Sequence, residues 1–131
     1  MKTIMTSLLI TTTIFTLCIM NVSAQDWMQK DSKSISLLAD TTFVRAMQVT
    51  IMPGEKGSVH THPAHFFYAL TDGKIIVHYT DGKDEVYDLK AGDGGYSDPE
   101  RPHWTENGGD TPIKFLLVEL KEHPYRENLK K

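Results

Sequence analysis

The sequence predicts an all-β domain folded as an antiparallel sandwich or barrel. Short runs that alternate apolar and polar residues, or are rich in β-branched ones, recur at close intervals. Gly, Pro, Asp or Asn bounds most of them. No segment carries a helical period through three or four turns, and there is no long repeat and no glycine-rich phosphate loop.

Taken in order, the runs are SISLLAD (34–40), TTFVRAMQVTIMP (41–53), GSVHTH (57–62), HFFYALTDG (65–73), KIIVHYTDG (74–82), DEVYDLKAGD (84–93), PHWTEN (102–107) and IKFLLVEL (113–120). The alternation in 44–51 puts one residue in two on each face of a strand. Two TDGK segments, 71–74 and 80–83, carry the Asp-Gly pair favoured in tight hairpins. They predict a three-stranded meander across residues 65–90. Residues 125–131 could form a short helix, but without an apolar face it gains little from packing.

The chain of 131 residues allows one ordinary domain. Its first 24 residues read as a secretory signal peptide: Lys2, an apolar and Thr-rich middle, then Val22-Ser23-Ala24 at the cleavage site. Cleavage would leave no membrane anchor and would place the protein in the periplasm or outside the cell. A flexible polar leader follows at 25–33, then the folded domain at 34–123 and a tail at 124–131. The mature chain loses only Lys2 among the charged residues of the total (14 Lys+Arg, 17 Asp+Glu), so it carries a formal −4. A mildly acidic domain gives no electrostatic reason to expect nucleic acid as a partner. The sole cysteine, Cys18, lies in the signal segment, so the mature domain has neither thiol nor disulfide and stands on its core.

His60 and His62 are two apart, so on a strand both imidazoles share a face. His103 follows Pro102 on another strand-like run. Neutral imidazole suits first-row divalent metals. Strict alternation continued through 65–70 would turn Phe66, Tyr68 and Leu70 inward, and His65 and Phe67 outward. A bulge at Pro63-Ala64 would slip that register and make His65 a candidate fourth ligand. Phe66, Tyr68 and Tyr96 are the candidate pocket residues. Arg45, Arg101 and Glu106 are the charged groups nearest the ligand strands, while His78 and His123 read as outward-facing. With no mature cysteine and no Gly-x-Ser-x-Gly elbow, nucleophilic hydrolysis has no support.

Two spaced motifs resemble those of the cupins. In the first, Gly54 is followed by five residues and then His60-Thr61-His62, and Gly73 closes the motif. Counting back six residues places the family's glutamate position at Phe66. In the second, Gly92 precedes Asp98-Pro99-Glu100, where the family has Pro-x-Gly, and then His103 and Asn107 follow in register. The resemblance implies a jelly-roll barrel with a metal at its centre, held by His60, His62 and His103. The missing carboxylate and Glu100 are its two departures.

Three neutral imidazoles leave a divalent cation its full charge and open positions. The resemblance implies a divalent transition metal (Fe, Zn, Mn, Ni or Cu), a small-molecule ligand or substrate, and a homodimer sharing the edge around 34–40. Whether the protein is an enzyme stays open. A dioxygenase-type oxidation of a small organic molecule and a non-catalytic binding or sensor module use the same cavity.

Overall fold

The computed structural model describes residues 26–127; the expected signal peptide lies outside them. After a short helix α1 (Asp26–Lys30) come nine strands: β1 (Ile35–Asp40), β2 (Val44–Ile51), β3 (His60–His62), β4 (His65–Ala69), β5 (Gly73–Tyr79), β6 (Asp84–Leu89), β7 (Gly94–Ser97), β8 (Glu100–Asn107) and β9 (Ile113–Leu120). They pair antiparallel in two sheets, one ordered β1-β2-β9-β4-β7 and the other β3-β8-β5-β6. This is the all-β barrel that the punctuated runs predicted.

Alternation does the sorting. On β2, Arg45, Met47, Val49 and Ile51 are buried while the residues between them are half-buried. On β9, Ile113, Leu117 and Glu119 face the same interior. Each such apolar side chain, fully buried, stabilises the fold by about 1.5–3 kcal/mol. Gly73, which closes the first histidine motif, is required by packing: a Cβ there would lie 2.7 Å from Ile113 Cδ1. Asn107, at the end of the second motif, is 1% exposed. Its side-chain amide donates to the Ile51 and Thr111 carbonyls, and its Oδ1 accepts from the Gly109 N–H, so it ties the β8–β9 turn to β2.

The pairing registers stack the interior in rows. In the five-stranded sheet Arg45 lies opposite Glu119 and Glu119 opposite His65. The next inward row is Met47, Leu117 and Phe67, and the one after it Val49, Phe115 and Ala69. In the four-stranded sheet His60 lies opposite His103 and His103 opposite Tyr79, followed by Thr105 with Val77 and Asn107 with Ile75. One end of the barrel is therefore polar and rich in histidine, and the rest is mainly apolar, with Thr105 and Asn107 as its polar members.

Two expectations are corrected. The second TDGK is a true hairpin: the Tyr79 N–H bonds Lys83 O, and Gly82 takes φ 89° between β5 and β6. The first is a crossing between sheets, because β4 pairs with β9 and β7 whereas β5 pairs with β8 and β6. Thr71 is held to Lys114 instead, and Asp72 accepts from the Ala91 N–H. The leader is also not loose: residues 26–30 are helical, and Trp27 is 6% exposed within the core. At the other end, 125–127 form no helix, and the remainder of that expected segment lies outside the described residues.

Candidate metal centre

β3 offers His60 and His62, and β8 brings His103 across from His60. The three present ligand atoms that all lie within 4.8 Å of one another. Each ring is fixed by its other nitrogen. His60 Nδ1 bonds the Ser58 carbonyl at 2.7 Å, and His103 Nδ1 bonds the Arg101 carbonyl at 2.8 Å. His62 Nδ1 bonds the Glu119 carboxylate at 2.7 Å. The carbonyls at His60 and His103 require the Nδ1–H tautomer there, and an ionised Glu119 requires it at His62, which leaves the Nε2 of each ring with its lone pair.

The consequence is clearest between His60 and His62, whose Nε2 atoms are 3.0 Å apart. Two lone pairs at that separation repel unless a cation joins them. A proton is a poor candidate. Burial, with repulsion from His62 and His103 behind it, lowers His60 to about 3. Burial likewise holds His62 and His103 below the usual imidazole range. The donor set fits a divalent transition metal, which takes neutral imidazole without a proton.

Around the three stand residues that sequence reasoning did not select. Trp27 stacks on His60, with ring centroids 4.2 Å apart and planes 13° from parallel, and meets His62 edge-on. Glu119 is 1% exposed. Besides His62 it binds Arg45 Nη1 at 3.2 Å, and Arg45 in turn faces Asp40 at 3.6 Å. Burial outweighs Arg45 and raises the Glu119 carboxyl above its ordinary range. Glu100, which stands where the cupin motif has glycine, brings a carboxylate oxygen to 3.4 Å from His103 Nε2. A carboxylate therefore does approach the centre, from β8 rather than from the position of Phe66.

The aromatic pocket residues are corrected. Phe66, Tyr68 and Tyr96 are 49%, 49% and 53% exposed, on the outer face of the five-stranded sheet, and Phe66 packs against Tyr96 there. His65 is the inward residue, 4% exposed, with its ring 5.0 Å from that of His62. The reason is a change of sheet. β3 belongs to one sheet and β4 to the other, and Pro63-Ala64 makes the corner. Ala64 is fully buried there and exchanges backbone bonds with His123 and Leu120. Alternation restarts at such a corner, so the slip that favours His65 is the one that occurs. His65 Nδ1 bonds Pro63 O, which leaves its Nε2 free toward the cavity it lines.

The charged candidates are already engaged. Arg101 pairs with Asp81 at 2.9 Å and lies over the Tyr79 ring. Glu106 bonds His78, which stacks on Trp104 outside the barrel.

Comparison with known proteins agrees with this geometry. The cupin domain profile matches residues 47–119, a span containing all four inward histidines. Oxalate decarboxylase OxdC of Bacillus subtilis (strain 168) is 35% identical over 78 residues, covering 57% of this chain and 20% of that protein. The chain therefore spans a fifth of that relative's length. A cupin domain from Bordetella pertussis superposes with a TM-score of 0.60 at 20% identity, over 66% of this chain and 90% of that one. A conserved protein with a double-stranded β-helix domain from Klebsiella pneumoniae superposes with a TM-score of 0.54 at 25% identity, over 66% and 74%. With the barrel, the two spaced motifs and the matched span in agreement, the chain belongs to the cupin family.

Proposed function

We propose that this cupin is an exported protein that binds a divalent transition metal through His60, His62 and His103, with dioxygenase-type oxidation of a small organic molecule as its candidate reaction. One observation carries the metal assignment: one ligand atom from each of the three histidines lies within 4.8 Å of the others, while the Nδ1 of each ring is engaged by a partner of its own. When bound, the metal would supply Lewis acidity and open coordination positions. The chain's own residues orient the rings, and Trp27 and the apolar rows keep bulk water away.

The test is elemental analysis of untagged protein beside a His60→Ala/His62→Ala variant. Near-stoichiometric metal in the parent and its loss in the variant are expected; full metal in the variant overturns the assignment. Dioxygen uptake by the iron-loaded protein with thiols, diketones and catechols then decides whether it is an enzyme. The cover that Trp27 places on His60 favours one alternative, a module that holds its ligand without turning it over.

We further propose a homodimer, supported by β1 at the edge of its sheet with Leu37 and Leu38 52% and 57% exposed. Sedimentation velocity should give twice the chain mass, and a monomer at all concentrations removes this part.

A further inference from the structure

The cavity that contains the histidines continues into the apolar rows, and its walls constrain what can enter. Its volume is about 160 Å³, close to the ~150 Å³ at which an apolar cavity accepts benzene. Beyond the histidines the lining includes the apolar Val49, Ile51, Ile75, Val77, Phe115 and Leu117, drawn from both sheets, with hydroxyls from Ser34, Ser97, Thr105 and Tyr87 among them. A guest whose head meets the histidines therefore lays much of its remaining surface against hydrocarbon.

The charges in the lining point the same way. Among the described residues three carboxylates, Asp31 (bonded by Ser58), Glu55 (bonded by Ser34 and the Met52 N–H) and Glu100, line the cavity against one ammonium, Lys56. Lys56 Nζ is directed to Glu106 at 3.6 Å and lies over the Trp104 ring. Among the described residues no arginine lines the cavity; Arg45 is held behind the histidines by Glu119 and Asp40. A dianion with charge at both ends would leave one end against hydrocarbon or facing carboxylates, and burying an unpaired charge is costly.

From these walls we infer that the site takes a one-ended guest: an oxygen-donor head directed at the histidines and an uncharged apolar body of about one ring. The same walls disfavour small dicarboxylates such as the oxalate in the name of the Bacillus relative. This rests on the metal reading above, and the experiment separates the two.

The protein is loaded with Co(II), desalted, and its cobalt content and visible spectrum recorded before any guest is added. Catechol and oxalate are then titrated in parallel. Both chelate through two oxygens, and they differ in what lies behind the chelating atoms. Catechol should shift the cobalt bands saturably, with oxalate weaker by about tenfold or more, the order of discrimination a shaped apolar pocket provides. Val77→Phe and, from the opposite sheet, Val49→Phe should each keep cobalt and weaken catechol by about tenfold. Oxalate binding as tightly as catechol overturns the inference, as does unchanged catechol affinity in both variants. Failure of the parent to hold cobalt overturns the metal reading, and the inference falls with it.

Discussion

Glu119→Ala should unfold at markedly lower denaturant than the parent and lose metal affinity as well. Glu119 is buried, accepts from Arg45, and fixes the tautomer of His62. Its removal takes from the buried Arg45 guanidinium its nearest carboxylate, leaving Asp40 at 3.6 Å, and breaking a buried pair from one side costs about 3–5 kcal/mol. It also frees His62 to turn or to change tautomer. Loss of an outer partner of that kind lowers metal affinity by roughly 10–100-fold. Glu119→Gln separates the effects: its amide oxygen can still accept from His62 Nδ1, while Arg45 loses the Glu119 charge and keeps only that of Asp40. Urea denaturation of metal-free protein and competitive metal titration measure the two. Wild-type stability in Glu119→Ala would show that the buried pair is not a structural one.

Acid should destabilise the metal-free protein well before its carboxylates titrate. Burial lowers His60 to about 3 and holds His62 and His103 below the imidazole range, each reinforced by neighbouring positive groups. In the unfolded chain all three titrate near about 6.5. Between that value and their folded values the unfolded state binds more protons, so stability falls as pH drops. The contribution is complete above about pH 6.5, and each histidine removes up to about 1.4 kcal/mol per pH unit below it. Glu119, raised by burial, works in the opposite sense, one group against three. Thermal melts in chelator from pH 7.5 to 4.5 should show a steep fall starting near neutrality. A flat profile across that window would show that the histidines protonate freely in the folded state.

What the sequence disclosed and what it hid follow one physical line. Within an unbroken strand, parity is reliable. Val44–Ile51 sorted itself, and the two-residue spacing of His60 and His62 put both on one face. Parity fails where the chain leaves one sheet for the other, because nothing local to Pro63-Ala64 says that the count restarts. Phe66 and Tyr68 were misplaced for that reason. Glu119 was legible in principle, since counting by twos from Ile113 through Leu117 arrives at it. Its charge disguised it as a strand end. Trp27 had no such signal: one aromatic in a five-residue helix has no period, and its place on His60 is purely tertiary.

The anchoring of the rings also determines how this centre can vary over evolutionary time. His60, His65 and His103 are each oriented by a main-chain carbonyl, those of Ser58, Pro63 and Arg101. Every amino acid carries that carbonyl, so replacing the side chain at any of those positions leaves the acceptor in place. Only His62 depends on a side chain, Glu119. Among these four anchors, three are invisible to mutation and one is heritable. A substitution at position 119 is therefore the one among the four that removes an acceptor and loosens the centre.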